Sequence, residues 1–122
     1  MCRVLIIEDS PVNMLLAAAV IARHGHETFK AANAVDGINV ARHVRPDVIL
    51  MDLGLPEMDG FAATRILKGD PATQNIPIIA VTAFAMKGDE ERIREGGCEA
   101  YLSKPISVGK FMETIRHFLG NP

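Results

Sequence analysis

Three short runs, Val4-Leu5-Ile6-Ile7, Val48-Ile49-Leu50-Met51 and Ile78-Ile79-Ala80-Val81, are apolar at every position, and each stops abruptly at a polar side chain: Glu8, Asp52 and Thr82. A strand with one solvated face alternates apolar and polar residues. A strand that is apolar without interruption is covered on both faces, the condition of an interior strand in a parallel sheet. Parallel strands need long crossovers, and the segments between these runs carry helix punctuation. Ser10-Pro11 supplies an N-cap and a first helical position, and Gly25 ends the helix predicted over 12–24. That helix is apolar around much of its circumference and is expected to be well buried. A weaker alternation predicts a strand over 27–31, then Asn33 caps a helix to about residue 44, which Pro46 stops. The third strand is predicted over 47–51, ending at Asp52. A turn-rich loop over 54–60 leads to a helix over 61–68, broken by Gly69-Asp70-Pro71. A helix over 88–95, a strand over 98–103 after Gly96-Gly97, the corner Lys104-Pro105, and a last helix capped by Ser107 and reaching residue 119 complete the pattern.

Regular strand-then-helix alternation predicts an α/β fold: a five-stranded parallel sheet with helices on both faces and right-handed crossovers. For five strands the flavodoxin-like order 2-1-3-4-5 leads, and it places a switch point, where ligands bind, at the carboxyl ends of strands one and three. At 122 residues the chain has room for one domain, 1–122. With 48% hydrophobic and 23% charged residues it is built to fold rather than stay disordered. A net charge of −2 offers no basic excess for nucleic acid or an anionic membrane surface. Cys2 and Cys98 form neither a disulfide framework nor a zinc motif, and no apolar stretch approaches the roughly 20 residues of a membrane span. A cytoplasmic setting is expected.

The predicted order brings Glu8, Asp9 and Asp52 to one rim of the sheet. Carboxylates a few ångströms apart repel unless a cation sits among them, and hard oxygen ligands suit Mg²⁺. Thr82 and Lys104 follow strands four and five, so a hydroxyl and an ammonium share that rim and can hold a phosphoryl group. A carboxylate nucleophile attacking phosphorus needs both negative charges screened, which a metal and a lysine accomplish. Asp52, the single acid at the end of the most apolar strand, is assigned as phosphoryl acceptor, with Glu8 and Asp9 serving the metal.

Glu8-Asp9, Met51-Asp52, Leu55-Pro56-Glu57-Met58-Asp59-Gly60, Thr82-Ala83 and Lys104-Pro105 together resemble the receiver domain of bacterial response regulators, over essentially the whole chain. Each dipeptide is a weak signal, whereas acids, hydroxyl and lysine each at a predicted strand end are a specific combination. Within that family, the stretches 81–89 and 99–101 are similar to single-domain cell-cycle regulators of α-proteobacteria. The resemblance implies a two-component phosphorelay role, with an aspartyl phosphate at Asp52. It implies Mg²⁺ (or Mn²⁺) held by Glu8, Asp9, Asp52 and the backbone carbonyl of Leu53, phosphate contacts from Thr82 and Lys104, and a cis peptide before Pro105. It also implies that Tyr101 is a switch aromatic following Thr82, and that the donor is a sensor histidine kinase or a histidine phosphotransfer protein. With no output domain, phosphorylation would act by changing which downstream protein binds, in a monomer or weak dimer that is no enzyme beyond a weak autophosphatase activity.

Several residues carry a plainer reading beside these. Gly54 and Phe84 stand two places beyond Asp52 and Thr82 and cannot orient a hydrolytic water, which predicts slow dephosphorylation. Met14, Leu15 and Leu16 are expected to divide between core and surface, with Asn13 facing outward near a face that docks the phosphodonor. The charged helix 88–95 has one strong apolar residue and should pack weakly, and Phe84 and Met86 before it are either a partner contact or core. His24 and His26 read as surface or capping groups, and Cys98 as a small buried filler. Tyr101 also reads as an ordinary aromatic at the core edge. A flavodoxin-type carrier is opposed by Glu8-Asp9 and the absence of tryptophan; an Asp-x-Asp phosphatase or nuclease is opposed by Met51-Asp52-Leu53-Gly54. The remaining readings are a receiver cut from a hybrid kinase or larger regulator, and a binding module independent of phosphorylation.

Overall fold

The strands Arg3–Ile7 (β1), Glu27–Ala31 (β2), Val48–Asp52 (β3), Ile78–Thr82 (β4) and Ala100–Ser103 (β5) pair in parallel in the order β2-β1-β3-β4-β5. The helices Pro11–Arg23 (α1), Ala34–Val44 (α2), Gly60–Lys68 (α3), Asp89–Glu95 (α4) and Val108–Leu119 (α5) alternate with them. This is a computed structural model, and it describes residues 2–55, 58, 60–82, 89–103 and 108–119. The topology is the one predicted.

Strand alternation sorts the core into two layers. Leu5, Ile7, Ile49, Met51, Ile78 and Ala80 face α2, α3 and α4, meeting Ile38, Ala41, Ala63, Leu67 and Ile93. Val4, Ile6, Val48, Leu50 and Ile79 face α1 and α5, meeting Ala18, Ile21, Phe111, Met112 and Ile115. Every residue of β3 and β4 is buried, as an interior strand requires. Each wholly buried Ile or Leu contributes about 1.5–3 kcal/mol relative to exposure, so the central strands anchor the domain.

Helix starts follow their caps. The Ser10 hydroxyl accepts from the Asn13 N–H at 3.3 Å, and the Asn33 side chain accepts from the Asp36 N–H at 2.9 Å. Helix α1 corrects one expectation: it buries only Ala18 and Ile21, while Val12, Leu15 and Leu16 are 66%, 67% and 61% exposed. Met14 packs on the core and the two leucines do not. A single helix presents one stripe to a sheet, and the apolar residues beyond that stripe have nothing to cover them.

Two strand bounds also move. Asp47 precedes β3; its carboxylate accepts the Arg3 N–H at 2.7 Å, and its own N–H reaches the Arg3 carbonyl at 2.8 Å. Cys98 is buried ahead of β5, beyond Gly97 at φ 108. It lies 3.8 Å from the Thr64 hydroxyl, the filler role expected of it. Glu99 then accepts the Ile78 N–H at 2.6 Å and pairs with Lys68, whose ammonium also donates to the Ile76 carbonyl at 2.9 Å. In α4 Ile93 is buried, and Arg92 lies 5.1 Å from the Phe61 ring centre. His24 bonds the Val20 carbonyl at the end of α1, a capping role, and His26 accepts from the Cys2 N–H ahead of β1. Among the described residues no helix is long and apolar enough to cross a membrane.

Candidate functional site

Strands β1 and β3 are neighbours, with Ile7 opposite Met51, so the residues that follow each strand emerge side by side at the carboxyl edge. Glu8 is tied by its N–H to the Ala31 carbonyl at 3.0 Å, and its carboxylate accepts the Ser10 N–H at 3.1 Å. Asp52 ends β3, and its carboxylate accepts the Gly54 N–H at 2.9 Å. Glu8 and Asp52 are each only 6% exposed, while Asp9 is exposed. All three acids offer a carboxylate oxygen within 4.8 Å of the others.

The donor set fits a small hard cation. Two oxygens on one Mg²⁺ at about 2.0–2.1 Å lie about 2.9 Å apart when adjacent and about 4.2 Å apart when opposite, so a bound cation would draw the three carboxylates closer together than they stand without it. Without a cation, two mostly buried carboxylates face a third acid across a short gap, which is electrostatically costly. The Leu53 carbonyl sits at the same edge, where it accepts the Gly60 N–H at 3.3 Å and keeps a second lone pair.

Register places the remaining candidates. Asp52 pairs with Val81 and Thr82 with Ser103, so Thr82, buried at the end of β4, is one position beyond the Asp52 level. Tyr101 pairs with Ala80 on the edge strand β5 and is half-buried against the α2–α4 layer. Lys104, Pro105, Phe84 and Met86 lie outside the described residues.

Two participants had no local signal in the sequence. Gly60 opens α3 so close to β3 that a methyl group there would stand 2.6 Å from the Asp52 carbonyl oxygen and 2.7 Å from the Leu53 Cα. Asn13, expected to face outward, is half-buried. It turns toward the sheet and lines a cavity with Glu8 and Asp52, and Val12 takes the outward position instead.

The profile of the family described as response regulator receiver domain matches residues 4–116. The polar-differentiation response regulator DivK of Brucella anthropi is 55% identical over 118 residues, covering 97% of this chain and 96% of that protein. Its counterpart from Brucella ovis is 53% identical over the same share. The solved receiver domain of a sensor histidine kinase from Pseudomonas aeruginosa, described with a magnesium ion coordinated in its active-site cleft, superposes with a TM-score of 0.90. It is 32% identical over 98% of both chains.

Proposed function

The chain belongs to the response regulator receiver domain family and is DivK-like along nearly its whole length, and from that membership we propose that Asp52 is the phosphoryl acceptor of a two-component phosphorelay. The donor is a phosphohistidine on a sensor histidine kinase or a histidine phosphotransfer protein. The observation that carries this reading is the trio Glu8, Asp9 and Asp52, with ligand oxygens within 4.8 Å and two of the three buried.

Glu8, Asp9, Asp52 and the Leu53 carbonyl hold Mg²⁺ or Mn²⁺. Once bound, that cation supplies the positive charge that lets two anions approach. A carboxylate oxygen of Asp52 forms the new bond to phosphorus as the P–N bond breaks, and the electron pair of that bond returns to the imidazole nitrogen. The Gly54 N–H orients the attacking carboxylate, while Thr82 and Lys104 bind the phosphoryl oxygens. Tyr101 follows Thr82 and carries the change to the β5 edge, where a downstream protein partner reads it. Gly54 cannot align a hydrolytic water, so the acyl phosphate is long-lived and autophosphatase activity is weak. The domain over 1–122 acts in the cytoplasm as a monomer or weak dimer.

Intact-mass spectrometry after incubation with acetyl phosphate tests the reading. One Mg²⁺-dependent phosphoryl group on the wild type and none on Asp52→Asn is expected. Absence of any addition to folded, Mg²⁺-loaded protein would favour a binding module independent of phosphorylation.

A further inference from the structure

Beneath the acid cluster, on the α1–α5 side of the sheet, lies a cavity of about 20 Å³. A volume of roughly 10–15 Å³ admits one water, provided polar groups surround it. Three polar side chains line the cavity: Glu8, Asp52 and Asn13. The other six lining residues, among them Leu50 and Phe111, offer only hydrocarbon side chains. Asn13 is therefore the neutral hydrogen-bonding side chain at this wall. Its backbone is fixed by the Ser10 cap, on the first turn of α1, and its side chain is half-buried between the exposed Val12 and the half-buried Met14.

We propose that Asn13 is a positioning residue for the divalent cation: its carboxamide, through one water in this cavity, holds Glu8 and Asp52 in their ligating orientation. The inference rests on the cation reading above. An amide suits the task because it both donates and accepts, so it can orient a water whose protons point at carboxylates. It also adds no fourth negative charge. Groups that orient metal ligands from the outer shell typically change metal affinity by about 10–100-fold when removed; acting through a water, Asn13 belongs at the lower end of that range.

The test is a Mn²⁺ titration followed by electron paramagnetic resonance, with the metal-free melting midpoint measured in parallel. Asn13→Leu keeps the branched shape and removes the hydrogen bonds, Asn13→Ala removes both, and Val12→Ala is the control on the exposed face. The expected result is a Kd for Mn²⁺ raised about tenfold in both Asn13 variants, unchanged in Val12→Ala, with metal-free midpoints close to wild type. A merely structural role would move the midpoint and leave the Kd. A Kd within about twofold of wild type in the Asn13 variants overturns the proposal. If Asn13→Leu does not fold, Asn13→Ala decides alone. Failure of the wild type to bind Mn²⁺ would remove the cation reading and this one with it, whereas binding by the wild type and both variants alike removes only the role of Asn13.

Discussion

The loop between β3 and α3 is bounded by two glycines whose replacement by alanine has opposite consequences. At Gly60 the new methyl carbon would sit 2.6 Å from the Asp52 carbonyl oxygen, 2.7 Å from the Leu53 Cα and 2.8 Å from the Leu53 Cδ2. Favourable contacts begin near about 3.5 Å, so α3 and the end of β3 must separate by about 0.8 Å, and two of the three obstacles are backbone. Overpacking of this kind costs about 1–3 kcal/mol, and the helix preference of alanine offsets less than about 1 kcal/mol of it in a first turn. At Gly54 the one neighbour among the described residues is the Asp52 Oδ1 at 3.6 Å, an ordinary contact. There the smaller entropy of the unfolded chain should stabilise by about 0.4–1 kcal/mol. Urea unfolding of the metal-free protein reads both signs, and each kcal/mol corresponds to roughly 3–6 °C in melting midpoint for a domain of this size. Because the displaced atoms are Asp52 and Leu53, Gly60→Ala should also weaken Mg²⁺ binding. A Gly60→Ala protein as stable as wild type, or a Gly54→Ala protein destabilised to the same degree, would refute the packing argument.

Arg45 ends α2 in the left-handed region at φ 51 while exposed to solvent. Arg45→Gly should therefore stabilise by about 0.5 kcal/mol in chemical denaturation, since the relieved strain exceeds the added chain entropy. Asp70 accepts the Ala72 N–H and a hydrogen bond from Arg42, which hold its carboxyl below the usual carboxylate range. A carboxyl lowered on folding adds stability above the unfolded value and loses it as pH falls through the folded one, so Asp70→Asn should lower stability at neutral pH and converge on wild type as pH falls below about 4, flattening the acid limb of the stability profile. Burial raises the Cys98 thiol, whereas Cys2 is partly exposed. Iodoacetamide at pH 8 should modify one cysteine, Cys2, in the folded protein and both in denaturant; fast double labelling of folded protein would contradict the buried position of Cys98.

Architecture was readable from the chain because its determinants are local. Continuous apolar runs at 4–7, 48–51 and 78–81 mark strands covered on both faces, Ser10 and Asn33 mark helix starts, and strict alternation leaves few topologies. The acids were readable for a related reason: a polar residue that terminates an interior strand projects at the sheet edge, and strand order says which edges meet. Helix α1 resisted the same treatment. Its residues from Val12 to Ile21 are apolar on more than one side, and periodicity does not say which stripe the sheet takes, so Leu15 and Leu16 proved exposed and Asn13 turned inward.

What the sequence determined alone is the list of elements and the acidic identity of the rim, since propensity, capping and hydrophobic period act over a few neighbouring residues. Tertiary structure decided the distances. The 4.8 Å grouping of Glu8, Asp9 and Asp52, the approach of Gly60 to the Asp52 carbonyl, the clasp of Lys68 on Glu99 and the cavity beside Asn13 all join residues distant along the chain. Such contacts are set by how rigid layers pack at near-crystalline density, where a few tenths of an ångström separate a contact from a clash and no local pattern records the difference.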